Sequence, residues 1–249
     1  MLSLHHKCIF IHIPKTAGQS VERAFLDDLG LGWSTRAPLL LRYNENPELG
    51  PPRLAHLTAR EYVSKCYVPE DTFKEYYKFS VVRDPWSRTV SLYKYMRYFV
   101  PFRRFILDIL PRRLWNDEYW FVRPQVEFLQ DDAAQTLVDD VLRFENLKND
   151  FDRVRKMLGL AGELPRVNSS SKTVSAPGPN RALRLLARSV VSGNVDLARS
   201  AIGRKQIYSD WRQYYDAETR DKVAELYARD IEAFGYTFDA TTPAEPHRS

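Results

Sequence analysis

Ile9-Phe10-Ile11-His12-Ile13-Pro14-Lys15-Thr16-Ala17-Gly18-Gln19-Ser20 begins as a short apolar run rich in β-branched residues, passes through Pro14, Lys15 and Gly18, and continues into Val21, Ala24, Phe25 and Leu29 at helical spacing. It reads as strand, tight loop, helix. Such a loop aims backbone N–H groups and the positive end of a helix dipole at one point, and Lys15 adds a full charge there. An anionic, phosphate-like group is the expected occupant. The nucleotide-triphosphate pattern G-x-x-x-x-G-K-[ST] needs a glycine well upstream and a lysine directly before the helical hydroxyl. Here Lys15 precedes Gly18, so the cradle is of another type. An ordinary strand-turn-helix with an exposed lysine is the bland reading of the same residues.

The 249 residues, 44% of them hydrophobic, are enough to bury a good core as one α/β domain spanning residues 1–240, with two small domains as the other arrangement this length allows. A net charge of +5 and a pI near 9.1 suit a polyanionic ligand, but do not separate nucleotide, nucleic acid, sulfated glycan and membrane surface. Cys8 and Cys66 make neither a disulfide framework nor a metal-ligand spacing, and Cys8 is expected to pack on the first strand. No apolar run approaches the roughly 18 to 20 residues of a membrane span, and Met1 lies almost against the first strand. The sequence therefore predicts a soluble, cytoplasmic protein.

Outward from the loop, the first helix runs from Gln19 to Leu29 with Gly30 as its stop, followed by a Pro- and Gly-rich surface excursion from Trp33 to Pro52. Arg53 to Leu57 reads as a short buried strand, and Thr58 with Glu61 forms a capping box that opens a helix over Ala59 to Cys66. Tyr77 to Val82 is the next strand, with Asp84 and Pro85 placed to begin a helix. Residues 98 to 124 interleave Phe99, Phe102, Phe105, Trp115, Tyr119, Trp120 and Phe121 with arginines, and read as an acceptor-binding insertion or, more blandly, as core aromatics with snorkelling arginines. Val141 to Phe144 is a fourth strand feeding a helix that stops at Gly159.

Asn168 to Pro179 is a polar loop closed by Pro-Gly-Pro, a candidate lid. Residues 179 to 205 carry Arg181, Arg184 and Arg188 in a basic amphipathic helix, which allows peripheral membrane contact although such faces are more often solvated. A last helix spans Ala217 to Phe234, ending at Gly235, and 241–249 read as a tail.

Alternating strands and helices predict a mostly parallel sheet flanked by helices, which binds ligands beyond the carboxyl ends of its strands. Lys15, His56, Arg83 and Arg143 all fall at or near predicted strand ends, so one crevice can gather them. In the second motif, Val82-Arg83-Asp84-Pro85-x-x-Arg88-x-x-Ser91-x-Tyr93, a guanidinium leaving a strand and a hydroxyl on the next helix can together hold a terminal phosphate. Arg83 pairing merely with Asp84 is the bland alternative.

The P-K-T-A-G-x-S order resembles the 5′-phosphosulfate loop, and V-R-D-P-x-x-R-x-x-S-x-Y the 3′-phosphate site, of sulfotransferases that use 3′-phosphoadenosine 5′-phosphosulfate (PAPS). The carbohydrate branch, which includes heparan sulfate 2-O-sulfotransferase, is the nearest in pattern. Phe144-Glu145-Asn146-Leu147, Asn168-Ser169 and the run from Tyr214 to Tyr236 extend the resemblance over most of the chain. It thins over 33–52, 98–120 and 179–205, where acceptor choice would be made.

The resemblance implies a P-loop-like fold and a PAPS cosubstrate without metal. Lys15, Thr16, Ala17, Gly18, Gln19 and Ser20 would cradle the 5′ end, and Arg83 and Ser91 would hold the 3′-phosphate. Lys15 and His56 are the catalytic candidates: the ammonium where charge grows on the leaving group, and the imidazole as general base toward an acceptor hydroxyl, expected on a carbohydrate. His12 competes for the base role, but its place before the loop suits packing or bracing; His5, His6 and His247 read as tail residues. Two rival functions stay open. A kinase with a variant loop needs a metal-holding carboxylate, for which Asp84 and Asp139-Asp140 are the sources, and a basic glycan- or nucleic-acid-binding module needs no convergence of Lys15, His56 and Arg83.

Overall fold

The apolar run that opens the chain becomes a strand because Ile9 and Ile11 are β-branched and both of its faces are covered, every side chain from Cys8 to Ile11 being buried. The computed structural model describes residues 1–165, 167 and 176–239. Within them β1 (Leu2–Ser3), β2 (Cys8–Ile11), β3 (Tyr77–Val82) and β4 (Asp140–Arg143) form one sheet in that order. The pairs β2–β3 and β3–β4 are parallel, with Phe10 opposite Phe79 and Val81 opposite Leu142. The mostly parallel sheet expected is present, with one antiparallel edge that the sequence did not announce: β1 pairs antiparallel with β2, Leu2 opposite Ile9. The short link from Ser3 to Cys8 leaves no room for the crossover that parallel neighbours need.

On one face of the sheet Cys8, Phe10, Phe79, Val81 and Leu142 pack against Val21, Ala24, Phe25 and Leu26 of α1 (Gly18–Asp28) and against Leu147, Phe151 and Val154 of the helix Leu147–Leu158. The rings of Phe10 and Phe79 stack at 5.0 Å. Side chains of this size gain about 1.5–3 kcal/mol each on burial, so this layer holds the sheet and the two helices as one core. The opposite face is equally dry: Ile9, Ile11, Ser80 and Val82 are buried, and Ser80 donates its hydroxyl to the Ile11 carbonyl at 2.7 Å.

Helix ends follow local chemistry. At Gly30 the chain turns left-handed (φ 64°), and the N–H groups of Gly30 and Leu31 return to the carbonyls of Asp27 and Leu26, so two otherwise unpaired carbonyls are satisfied. Gly159 ends Leu147–Leu158 in the same left-handed conformation. The box at Thr58 and Glu61 is present in both directions and opens α2 (Ala59–Ser64).

Several expectations are overturned. Arg53 to Leu57 is not a strand. Leu54–His56 is a single tight helical turn, with only Arg53 bridging to Tyr43. None of these five residues is β-branched, and Leu54, Ala55, His56 and Leu57 are buried without being in a strand. The predicted helix over Ala217 to Phe234 is two, Ala217–Leu226 and Ala228–Phe234, broken at Tyr227, whose ring is fully buried and whose hydroxyl donates to the Val122 carbonyl. In the 98–124 segment Phe99, Phe102, Phe105 and Phe121 are core residues, which removes them as stacking platforms. His6 is no tail residue, since it bridges Ser3 (2.7 Å) and Asp28 (2.9 Å). The loop residues Asn168 to Ser175 and the tail expected over 241–249 lie outside the described residues.

The described residues divide into two compact units. One contains those within 1–84, 123–167 and 232–239, including the whole sheet; the other contains 85–122 and 176–231. The second unit is helical. Its helix Pro179–Ser192 buries Leu185 and Ser189 and exposes Leu183, Leu186, Val190 and Val191 beside Arg184 and Arg188. Among the described residues no helix is long and apolar enough to cross a membrane.

Candidate active site

Parallel pairing of β2 with β3 carries the ends of both strands, and the loops that leave them, to the same edge of the sheet. The loop after β2 contains Lys15 (φ 71°) and Ala17 (φ 69°), two non-glycine residues in the left-handed region, with Thr16 between them. Each costs about 1–3 kcal/mol, so the surrounding structure must impose the shape. Thr16 is buried and donates its hydroxyl to the Ile13 carbonyl at 2.9 Å, and Ser20 N–H closes on Ala17. Alternation of this kind curls successive N–H groups toward an anion at the start of α1. Gln19 is exposed on the rim, and Ser20 accepts a long bond from Val167 N–H at 3.5 Å.

Gly18 is required here for space rather than for backbone freedom. A β-carbon on it would stand 2.1 and 2.2 Å from Cδ2 and Nε2 of His12. The His12 ring is wedged against the loop, with Nδ1 on the buried Glu22 carboxylate at 2.5 Å. His12 also bears on His56: the rings lie 4.4 Å apart, and His56 Nδ1 is 2.8 Å from the His12 carbonyl. A carbonyl only accepts, so Nδ1 of His56 is the donor and carries the proton, which leaves the lone pair on Nε2. Burial first, and the neighbouring His12 second, lower the pKa of His56 well below the ordinary histidine value. The imidazole is neutral at physiological pH.

Arg83 leaves the end of β3. Its backbone is clamped by the amide of buried Gln125, which accepts from Arg83 N–H at 2.9 Å and donates to the Arg83 carbonyl at 2.8 Å. The guanidinium lies 4.0 Å over the Phe144 ring and donates Nη1 to the Lys15 carbonyl at 3.3 Å. Two cations thus share one edge of the sheet. Burial and the Arg83 charge together lower the Lys15 pKa to about 8.

The remaining expected residues are placed differently. Arg143 ends β4 opposite Val82, the residue before Arg83; its Nη2 donates to the Phe234 carbonyl at 2.6 Å, and its guanidinium covers the Tyr236 ring at 4.9 Å. Ser91 is half-buried on the helix Pro85–Tyr95 in the second unit. Two of the carboxylates a kinase would need are paired and stand away from the carboxyl ends of the strands. Asp139 pairs with Lys78, Asp140 with Arg153, and both stand at the start of β4 rather than at its carboxyl end. Among the described residues no group of three or more His, Cys, Asp and Glu side chains could hold a metal ion.

A cleft in the same unit is lined by His12, Gln19, Glu22 and His56, together with Trp33, Arg36 and Tyr43 from the excursion and Arg53 just after it. Arg36 lies over Trp33 and Arg53 over Tyr43, at 4.9 and 5.2 Å. Reading the sequence missed these residues, as it missed Glu22 and Gln125. For Glu22 a signal existed: it occupies the apolar stripe of α1 with Phe25, Leu26 and Leu29, where a carboxylate needs a buried partner.

The family model described as "Sulfotransferase family" matches residues 1–237. The chain belongs to the sulfotransferase family. The match spans the Lys15 loop, His56, Arg83 and the C-terminal helices alike, so this sulfotransferase is an enzyme of sulfuryl transfer over essentially its whole described length. No curated protein and no solved structure was found to match it.

Proposed function

We propose that this sulfotransferase takes its sulfuryl group from PAPS and passes it to an acceptor hydroxyl on a carbohydrate. The juxtaposition of Lys15 and Arg83 beside the strained loop carries the reading. A donor with a phosphate at each end of its ribose needs two cationic points, which Lys15 and Arg83 supply. In this P-loop-like arrangement Lys15, Thr16, Ala17, Gly18, Gln19 and Ser20 hold the 5′ end. Arg83 takes the 3′-phosphate, with Ser91 as its partner by sequence motif.

PAPS, when bound, supplies an activated sulfuryl group. Lys15 and the loop N–H groups counter the negative charge that grows on the departing phosphate, which lowers the barrier only if they are fixed beforehand. The positive-φ loop, the Thr16 bond and the His12 wedge supply that rigidity. His56 Nε2 accepts the proton of the attacking hydroxyl, while the His12 carbonyl holds Nδ1–H and so fixes both tautomer and ring plane. The acceptor hydroxyl approaches His56 from the side of the narrow cleft of about 50 Å³ lined by Trp33, Arg36, Tyr43 and Arg53, which would meet only an edge of the acceptor.

The test is thermal. Adenosine 3′,5′-bisphosphate at 100 times its dissociation constant should stabilise the protein by about 2.7 kcal/mol, a clear rise in Tm, whereas ATP with magnesium should do much less. Equal or reversed shifts would sink the donor assignment.

A further inference from the structure

The second unit contains a cleft of about 450 Å³ lined by Arg104, Asp108, Arg112, Arg113, Asn116, Asp117 and Arg199. None of these residues belongs to the unit that carries Lys15, His56 and Arg83. The winding of the chain creates it. Residues Phe105–Leu114 form a π-helix, a rare winding whose longer runs are uncommon and which is frequent at functional sites. Bonds from residue i to i+5 place residues four and five apart on one face. Arg104, Asp108, Arg112, Arg113 and Asp117 therefore line up toward the cleft, while Phe105, Ile106, Ile109, Leu110 and Leu114 fall on the buried face. Pro111 sits inside this winding, and Trp115 N–H reaches back five residues to the Leu110 carbonyl.

Four guanidiniums meet two carboxylates in this space. Among the described residues no ion pair joins Asp108 or Asp117 to Arg112 or Arg113, and Nε of Arg113 is buried with no hydrogen-bond partner. A buried donor left in that state costs stability, which a ligand oxygen would recover. Planar guanidiniums present the forked donors that match tetrahedral oxyanions, while Asn116, Asp108 and Asp117 are suited to hydroxyls. The volume is that of a small-molecule site.

We propose that this cleft binds a phosphate or sulfate ester carried on a hydroxyl-rich molecule, the arginines taking the oxyanion and the carboxylates and amide taking the hydroxyls. A single strand of nucleic acid shares the phosphates but offers bases, and the cleft lining contains no aromatic side chain to stack on them. The assignment does not depend on which donor the enzyme uses.

Isothermal titration with glucose 6-phosphate, in the presence of saturating adenosine 3′,5′-bisphosphate, tests it on the full chain. Glucose 6-phosphate should bind at least about tenfold more tightly than glucose. Arg112→Gln with Arg113→Gln should weaken it by about tenfold, with the affinity for adenosine 3′,5′-bisphosphate unchanged, and Asp108→Ala should weaken the binding of glucose itself by removing an acceptor for its hydroxyls. If the double variant unfolds, Asp108→Ala and the glucose comparison still decide. Equal binding of glucose and glucose 6-phosphate, unaltered binding by a folded double variant, glucose binding unaltered or tightened by Asp108→Ala, or displacement of glucose 6-phosphate by a stoichiometric single-stranded oligonucleotide would each overturn the proposal. A failure of adenosine 3′,5′-bisphosphate to bind would count against the donor reading alone.

Discussion

His56 shows how little of a side chain's role lies in its own chemistry. An imidazole in water is half protonated near pH 6.5, but burial against His12 and the bond from Nδ1 to the His12 carbonyl make this one a neutral acceptor with a fixed tautomer. Replacement by alanine should lower turnover about 10²–10⁴-fold while leaving the affinity for adenosine 3′,5′-bisphosphate within twofold or so of the parent. Retained turnover would move the base elsewhere. Lys15 makes the complementary case. With its pKa lowered to about 8, the ammonium that we propose meets the donor's phosphosulfate is lost as pH rises through that value. Affinity for adenosine 3′,5′-bisphosphate should then fall about tenfold between pH 7 and pH 9, and Lys15→Gln should flatten that profile; a pH-independent parent would show that Lys15 does not hold the anion.

At the scale of elements, the join between β2 and α1 decides the site. Two opposing effects meet at Gly18. Alanine in the first turn of a helix is favoured over glycine by up to about 1 kcal/mol, but its methyl would enter the His12 ring. Overpacking of this kind costs about 1–3 kcal/mol, and His12 is held by Glu22 and cannot simply rotate away. Gly18→Ala should therefore destabilise, read as a lower denaturant midpoint at unchanged slope, and should weaken nucleotide binding; a variant as stable as the parent would mean that the ring has room to move. This join was legible as strand, loop and helix, and the capping box at Thr58 was legible in full. The strand expected over Arg53 to Leu57 was not, because a short apolar run without β-branched residues does not distinguish a strand from one tight buried turn.

For the whole molecule, the buried titrating groups set the response to acid. In the unfolded chain His56 takes up a proton near pH 6.5, whereas in the folded protein it resists doing so until well below that value. The unfolded state binds more protons in that window, so stability rises with pH and is lost on acidification. The parent should lose up to about 1.4 kcal/mol per pH unit below pH 6.5 from this group, seen as a steeper fall of Tm than in a His56→Gln protein. Parallel slopes for the two proteins would exclude His56 as the cause. The sequence by itself determined the alternation of strands and helices, the tight loop that carries Lys15 ahead of Gly18 and the motif around Arg83, because each depends on neighbours within a few residues. Only the tertiary structure decided which of these side chains meet. It set Arg83 on the Lys15 carbonyl and His56 on the His12 carbonyl, sent Arg143 to Phe234, and filled the core with all four phenylalanines of the 98–124 segment. Those outcomes depend on strand register and on what fills each face of the core, and both are set by contacts between residues distant in the chain.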